Sequence, residues 1–260
     1  MRPFVPKPTP RSSPYIIAHR GISAKAPENT IASFSRAVEA VGIDMVELDV
    51  RLTKDEEVIV LHDRTLQRTS TANGVARKYT LKELRAYDAG SWFDPAFKNE
   101  RIPLLSEVLM LVGSTRWVDI EIKSDPFHSD RPGLVEQKVL AVVDQCNMKD
   151  RVFYSSFDHH LIANLKRMRP DAVTGVLYNL FRDFGRPPSK LARRANASIF
   201  ICAKTELQRS MIDDARRHGI AVYVYTLNSI KDAQKMIQIG VDGIISDNAD
   251  DIVSLVKPNQ

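Results

Sequence analysis

The sequence predicts an α/β protein folded as a closed (β/α)8 barrel of the TIM type. The chain has 260 residues, close to the ~250 that one such barrel takes. Short runs rich in β-branched residues alternate with helical patterns, which is typical of a parallel sheet. Eight repeats of this pattern favour a closed barrel over an open sheet. We expect one barrel domain over residues 15–257, preceded by an extended proline-rich tail over residues 1–14.

Each expected strand is a short, largely aliphatic run bounded by turn residues or polar residues. The expected strands are Tyr15–His19, Met45–Leu52, Trp117–Lys123, Val152–Ser156, Thr174–Tyr178, Ile199–Ala203, Ala221–Thr226 and Gly243–Ser246. The expected helices are Thr30–Val41, Ser106–Val112, Leu134–Cys146, His159–Met168, Ser189–Ala195, Leu207–His218 and Ile230–Ile239. Residues that can accept the unpaired N–H groups of a first helical turn are Asn29, Ser106, Asp158, Thr205 and Asn228.

The regular alternation breaks over residues 53–103. Val58–Leu61 predicts an additional strand, and about forty residues without a clear pattern follow it. A structureless loop of this length is uncommon in a compact domain unless it is functional. We therefore expect a small inserted subdomain at about residues 64–103, packed over the barrel mouth, with Trp92 and Phe93 as its apolar anchors.

Composition and charge exclude several classes of protein. No apolar run reaches the ~18–20 residues that cross a bilayer, so stable membrane insertion is not expected. The net charge of +5 comes without a long Lys/Arg run, so the expected partner is a small molecule rather than a nucleic acid. The two cysteines lack CxxC spacing and the N-terminus lacks an apolar signal region, so we expect a cytoplasmic protein. The oligomeric state is left open.

Three carboxylates are the most informative polar residues at the carboxyl ends of the expected strands, where barrel enzymes carry their reacting groups. Glu47 and Asp49 are two residues apart on one strand and so share a face, and Glu121 lies on the next. Burying three acids together is costly unless positive charge lies between them, and oxygen ligands favour Mg²⁺ or Ca²⁺. The alternative is a salt-bridge network with the nearby basic residues Arg20, Arg51 and Lys123. Spacing alone leaves both interpretations open.

His19 and His62 end two of the expected strands at the same rim. Two imidazoles beside a metal can act as general base and general acid, whereas a single histidine there is more often a structural hydrogen-bonding residue. A dinucleotide fingerprint, a Walker loop and a GxSxG elbow are all absent from the sequence. Hydride transfer and serine hydrolysis therefore have no support.

Several short motifs, taken in order, resemble the glycerophosphodiester phosphodiesterase family over about residues 15–250. They are His19-Arg20-Gly21, Pro27-Glu28-Asn29-Thr30, Glu47-Leu48-Asp49, His62-Asp63, Ala89-Gly90-Ser91-Trp92-Phe93, Ile102-Pro103-Leu104, Glu121-Ile122-Lys123 and Gly240-Val241-Asp242-Gly243-Ile244-Ile245-Ser246-Asp247. Each motif alone is weakly specific, but their joint order and spacing are strongly specific.

The resemblance implies a barrel with an inserted subdomain that uses one divalent cation to hydrolyse glycerophosphodiesters to sn-glycerol 3-phosphate and an alcohol. By motif, Glu47, Asp49 and Glu121 match the metal ligands, and His19 and His62 match the acid/base pair. Arg20 and Lys123 match the residues near the phosphate, and Glu28 matches a further site residue that contacts metal or substrate. Tyr225 stands where relatives usually have tryptophan. The tyrosine retains an aromatic wall, and how this wall fits the alcohol part of the substrate is left open. Two alternatives remain, a related barrel phosphodiesterase acting on lysophospholipid headgroups and a non-catalytic phosphodiester-binding protein.

Overall fold

The computed structural model describes residues 14–124 and 131–256. The expected tail, residues 1–14, therefore lies outside the described residues except for Pro14, as does the expected domain end at residue 257. Each helix of the described part is too short or too polar to span a membrane.

Eight parallel strands close into a barrel, which confirms the predicted fold class. The first strand pairs on both sides, so that Ile17 lies opposite Met45 on one neighbour and Ile245 on the other. A ninth strand pairs antiparallel to the outer end of the second, with Val60 opposite Val50. The described strands are β1 (Tyr15–His19), β2 (Met45–Leu52), β3 (Val58–Val60), β4 (Trp117–Ile122), β5 (Val152–Ser156), β6 (Thr174–Leu177), β7 (Ile199–Ala203), β8 (Ala221–Tyr225) and β9 (Gly243–Ser246).

Helices cover the outside of the barrel and shield the outward-facing strand residues from water. The described α-helices are α1 (Ile31–Glu39), α2 (Leu81–Leu84), α3 (Leu105–Val112), α4 (Leu134–Gln145), α5 (His159–Met168), α6 (Leu180–Asp183), α7 (Pro188–Ala195), α8 (Arg209–Arg217), α9 (Ile230–Ile239) and α10 (Ala249–Val256). All seven expected helices are present within a few residues of their expected ends, whereas α2, α6 and α10 were not expected.

Two residues expected to cap helices bind site carboxylates instead. The Asn29 amide donates to Asp49 at 2.8 Å, and the Asn228 amide donates to Asp247 at 2.5 Å. In both cases the next residue caps the helix. Asp158 caps α5 as predicted, whereas α3 and α8 are preceded by Leu104 and Gln208 rather than by the expected Ser106 and Thr205.

The barrel interior changes from apolar to acidic along β2 and β4. Because side chains alternate along a strand, every second residue of each strand faces the interior. The inward residues pair in register as Met45 with Trp117, Glu47 with Asp119 and Asp49 with Glu121. Two rows of buried acids therefore lie above an apolar floor, at the carboxyl ends of the strands.

The inserted segment has its own small core. Its buried residues are Ile59, Leu61, Leu66, Ala72, Ala76, Leu84, Ala89 and Ile102. The expectation that Trp92 and Phe93 anchor the insert is wrong, because Trp92 is 41% exposed and both rings lie outside this cluster. The two rings instead pack edge to face against each other at 5.7 Å, and the Trp92 indole donates to the Ala89 carbonyl at 2.9 Å. Aliphatic residues form the buried core of the insert, and Tyr79 and Tyr87 pack against it.

Candidate active site at the barrel mouth

A pocket of about 210 Å³ opens at the carboxyl ends of the barrel strands. The expected site residues that line it are His19, Arg20, Glu47, His62, Glu121, Lys123 and Tyr225. Asp49 is fully buried beside the pocket, and Glu28 lines an adjoining hollow together with Arg20. The structure thus brings all the expected site residues to one end of the barrel.

The acidic cluster consists of Glu47, Asp49 and Glu121. One carboxylate oxygen from each lies within 4.8 Å of the others, and all three side chains are buried. The cluster forms because β2 and β4 are neighbours and place Asp49 directly opposite Glu121. Three oxygen donors of this kind fit a hard divalent cation.

Two basic side chains neutralise only part of this cluster. Asp49 lies 3.1 Å from the Arg20 Nε and 2.8 Å from the Lys123 Nζ. Burial raises the pKa of Asp49, but Lys123 and Arg20 outweigh it and hold that pKa well below its ordinary value. Lys123 also pairs with Glu121, so the alternative salt-bridge network exists around Asp49 and Glu121. The Arg51 guanidinium donates to the His62 carbonyl at 2.8 and 3.0 Å.

Glu47 is the carboxylate that this network leaves unbalanced. Within the described ranges, no lysine or arginine side-chain nitrogen lies within 4.0 Å of its carboxylate, whose Oε2 accepts the Arg20 backbone N–H at 3.0 Å. Burial, followed by the negative charges of Asp49 and Asp119, raises the pKa of Glu47 well above its ordinary value. A buried acid in such surroundings favours a proton or a cation beside it.

Asp119 is a fourth buried acid that the sequence analysis missed. It lies opposite Glu47 on β4, lines the pocket and accepts a hydrogen bond from the Ser155 hydroxyl at 2.7 Å. Burial raises its pKa well above the ordinary value for aspartate. The two-residue spacing of Asp119 and Glu121 along one strand was a signal that could have found it.

Each of the two histidines has its own carboxylate partner. His19 Nδ1 lies 2.5 Å from Asp247 Oδ1, and His62 Nδ1 lies 2.7 Å from Asp63 Oδ1. An ionised carboxylate only accepts hydrogen bonds, so each Nδ1 carries a proton and each Nε2 remains to exchange one. The His19 Nε2 lies 3.9 Å from Glu47, on the side of the acidic cluster. Burial is the largest of the effects that lower the pKa of His62 below its ordinary value.

Glu28 belongs to an arginine bridge rather than to the acidic cluster. Its carboxylate accepts from Arg20 at 2.8 Å and from Arg68 at 2.6 and 2.8 Å. The same Arg68 donates to Asp63 at 2.6 Å, and Asp63 in turn bonds His62. Arg68, which the sequence analysis did not select, therefore links the insert to both a site cation and a site histidine.

The opposite wall of the pocket is apolar. Tyr225, at the end of β8, lies there beside Phe157, Leu177, Ile201 and Ile245. Burial raises the pKa of Tyr225 above its ordinary value, so its phenol is neutral at pH 7. No described residue of the range 64–103 lines the pocket, and the insert reaches the mouth through Arg68.

A barrel whose mouth combines an acidic cluster, two carboxylate-bound histidines and two half-buried cations has the groups that a phosphate-ester hydrolase needs. Comparisons with known proteins agree with that class. The model of the glycerophosphoryl diester phosphodiesterase family matches residues 19–251. The chain belongs to this family, and it is a phosphoric diester hydrolase.

Individual relatives match over nearly the whole chain. A glycerophosphodiester phosphodiesterase of Caldanaerobacter subterraneus is 37% identical over 243 residues, which cover 93% of this chain and 97% of the relative. A glycerophosphodiester phosphodiesterase of Bacillus altitudinis is 33% identical over 244 residues, which cover 92% of this chain and 97% of the relative. Among solved structures, an Oleispira antarctica phosphodiesterase in complex with the product sn-glycerol-3-phosphate has a TM-score of 0.86 at 27% identity, covering 93% of this chain and 96% of that one. A glycerophosphodiester phosphodiesterase from Agrobacterium tumefaciens has a TM-score of 0.80 at 30% identity, and the match covers 93% of this chain and 99% of that one.

Proposed function

We propose that this protein hydrolyses glycerophosphodiesters to sn-glycerol 3-phosphate and an alcohol. In this proposal one divalent cation, Mg²⁺ or Ca²⁺, binds at the acidic cluster, and His19 and His62 exchange protons with the substrate. The observation that carries it is the convergence of both histidines and the acidic cluster on one pocket. The Oleispira relative, with sn-glycerol-3-phosphate bound, supports the choice of product.

The residues present fit a cation. Three carboxylate oxygens within 4.8 Å offer only hard ligands, and Glu47 has no lysine or arginine side chain within 4.0 Å among the described residues. Glu47, Asp49 and Glu121 would hold the ion. When bound, the cation supplies Lewis-acid polarisation of a phosphoryl oxygen and offsets the negative charge of the cluster.

Arg20 and Lys123 are suited to bind the phosphate. Burial lowers the pKa of Lys123, but the charges of Asp49 and Glu121 outweigh it and raise that pKa, so the amine remains a cation inside the pocket. Arg20 is held between Asp49 and Glu28 in the same way. Both cations are thus oriented before substrate arrives, which is the condition under which fixed charges stabilise a phosphoryl transition state best.

The two histidines can divide the proton transfers. One Nε2 removes the proton from the attacking oxygen as the P–O bond forms, and the other gives its proton to the alkoxide that leaves. In our scheme the attacking oxygen is the glycerol 2-hydroxyl of the substrate, because an intramolecular group reaches an effective molarity of ~10⁵ M or more. Water then opens the cyclic phosphate, and the two histidines exchange roles.

The test is direct measurement of sn-glycerol 3-phosphate from a panel of glycerophosphocholine, glycerophosphoethanolamine and glycerophosphoglycerol. We expect metal-dependent release from at least one of them, and its loss by about 10²-fold or more in His19→Ala and His62→Ala. An analogue of the best substrate with hydrogen in place of the glycerol 2-hydroxyl should bind without turnover. Hydrolysis of that analogue at the parent rate would rule out the internal route, and no release from any diester would reject the proposed function.

The apolar wall around Tyr225 favours a second candidate, a phosphodiesterase for lysophospholipid headgroups. Leu177, Ile201 and Ile245 continue that wall and offer a surface to an acyl chain. Lysophosphatidylcholine added to the same panel decides between the two. A higher kcat/KM for the lysolipid than for glycerophosphocholine would make it the better substrate, and no turnover of any member would favour the non-catalytic binding protein.

A further inference from the structure

The short helix α6 lies at the mouth of the barrel beside the catalytic pocket. It follows β6 at the carboxyl end of that strand, and the Leu180 N–H donates to the Glu206 carboxylate at 3.2 Å. The Arg182 guanidinium donates to the carbonyl of Phe157, a residue that lines the pocket. A molecule that contacts α6 therefore lies next to the entrance of the catalytic pocket.

Two aromatic rings project into solvent, one from α6 and one from the residue that follows it. Phe181 is 97% exposed and Phe184 is 79% exposed. The backbone that carries them is firmly bonded, because the Asn179 side chain accepts the Arg182 N–H and the buried Asp183 carboxylate accepts the Asn179 N–H, both at 3.1 Å. Adjacent exposed rings on an ordered turn indicate an interaction surface.

The charge around these rings is positive. The Arg182 and Arg186 side chains are 50% and 40% exposed, whereas Asp183, the carboxylate near both, is only 2% exposed at 3.8 and 3.4 Å. A groove of about 410 Å³ adjoins Phe184, and its charged lining residues are Arg186, Arg217 and Asp214. Exposed aromatic rings and exposed arginines therefore lie together within residues 181–186.

We propose that Phe181 and Phe184 dock the barrel mouth on an anionic phospholipid bilayer, with Arg182 and Arg186 against the lipid phosphates. Amphipathic insertion strengthened by basic residues is the mode by which proteins bind membrane surfaces without spanning them. The exposed arginines beside the rings favour an anionic lipid surface, because its phosphates offer the complementary negative charge. The docking does not depend on the proposed reaction.

Vesicle sedimentation tests this proposal with the full chain. Vesicles of equal parts dioleoylphosphatidylglycerol and dioleoylphosphatidylcholine should bind the protein, pure dioleoylphosphatidylcholine should bind it less, and added salt should weaken binding. The double variant Phe181→Ser with Phe184→Ser should lower the partition coefficient by about tenfold or more. Met110→Ser, which removes a 67% exposed apolar side chain from α3, should leave it unchanged.

Two readouts keep this result separate from misfolding and from the proposed function. The double variant should keep the parent Tm, because it removes exposed side chains, and should keep the parent turnover of soluble glycerophosphocholine. Failure of the parent protein to bind anionic vesicles, or equal binding by the double variant, would overturn the proposal. So would a concentration-dependent dimer that the double variant abolishes in the absence of vesicle binding, since the patch would then serve self-association.

Discussion

The Nδ1 of His19 lies 2.5 Å from the Oδ1 of Asp247, which joins the end of the first barrel strand to the residue that follows the last. The carboxylate also accepts from the Ser23 hydroxyl at 3.1 Å and from the Asn228 amide at 2.5 Å. Three hydrogen-bonding groups therefore fix the Asp247 carboxylate, and this carboxylate fixes the His19 imidazole in one tautomer. Asp247 is a positioning residue for the proposed acid/base pair.

Asp247→Asn should lower kcat by about 10²-fold with little change in KM, because the loss of the carboxylate frees the His19 tautomer while the phosphate-binding residues are untouched. Steady-state kinetics on the best diester measures this. Asp250→Asn is the matched control, since Asp250 lies nearby, binds Lys25 at 2.7 Å and does not line the pocket. A kcat for Asp247→Asn equal to that of the control would remove Asp247 from the mechanism.

The same variant should reveal a pH-dependent contribution to stability. Burial raises the pKa of Asp247, but the hydrogen bond and charge of His19, with further hydrogen bonds from Asn228 and Ser23, outweigh it and hold that pKa at about 2. The unfolded-state value is about 3.9. Since the folded pKa is the lower one, ionised Asp247 stabilises the fold above about pH 4, and this contribution is lost as the pH falls towards 2.

Urea unfolding at several pH values measures the difference in the free energy of unfolding between the parent and Asp247→Asn. We expect the parent's advantage to shrink as the pH falls from about 4 to 2. An advantage that grew on acidification would contradict the assigned direction of the pKa shift.

Arg68→Gln tests the bridge between the insert and the site. Arg68 contacts Glu28 and Asp63, which in turn bond Arg20 and His62. We expect about a tenfold loss in kcat/KM, with both kcat and KM affected, because a proton-transfer residue and a phosphate-binding residue lose their orientation together. Arg85→Gln breaks a comparable pair away from the mouth and should leave both constants unchanged. Equal kinetics in the two variants would make Arg68 merely structural.

The strand order and the acidic cluster could be predicted from the sequence, because both follow from local spacing. Glu47 and Asp49 share a face through the two-residue period of a strand, and any neighbouring strand with the same period places its acids beside them. The partners of the histidines could not be predicted in this way. Asp247 reaches His19 only because the barrel closes β9 on β1, and their separation of 228 positions along the chain carries no pairing signal.

The helix caps and the core of the insert also could not be predicted from local sequence. Asn29 has the chemistry of a cap, yet its amide binds Asp49, a choice that depends on where β2 lies in the folded barrel. Trp92 and Phe93 are large and aromatic, but the buried core of the insert is formed by smaller aliphatic side chains. Local propensity does not distinguish between partners that tertiary structure brings together.

The variant Glu47→Gln distinguishes between two interpretations of the acidic cluster, a site that binds a cation and an ion-pair network that needs none. Without metal, the variant should be at least as stable as the parent, because it removes a buried acid whose pKa is raised by burial and by neighbouring charges. At about 100 times Kd, Mg²⁺ or Ca²⁺ should stabilise the parent by about 2.7 kcal/mol, about 5–10 °C in Tm. That shift should vanish in Glu47→Gln and persist in Asp119→Asn, a neighbouring buried acid outside the cluster. An equal shift in parent and Glu47→Gln would place the cation elsewhere.

The central claim is that this barrel mouth hydrolyses a phosphodiester with a cation at Glu47, Asp49 and Glu121. The most direct measurement is release of sn-glycerol 3-phosphate from the best diester before exhaustive EDTA treatment, after it, and after Mg²⁺ or Ca²⁺ is added back. We predict that turnover is lost on chelation and restored by the divalent cation, since the buried acids lack enough positive charge of their own. Full turnover in the chelated protein would contradict the account.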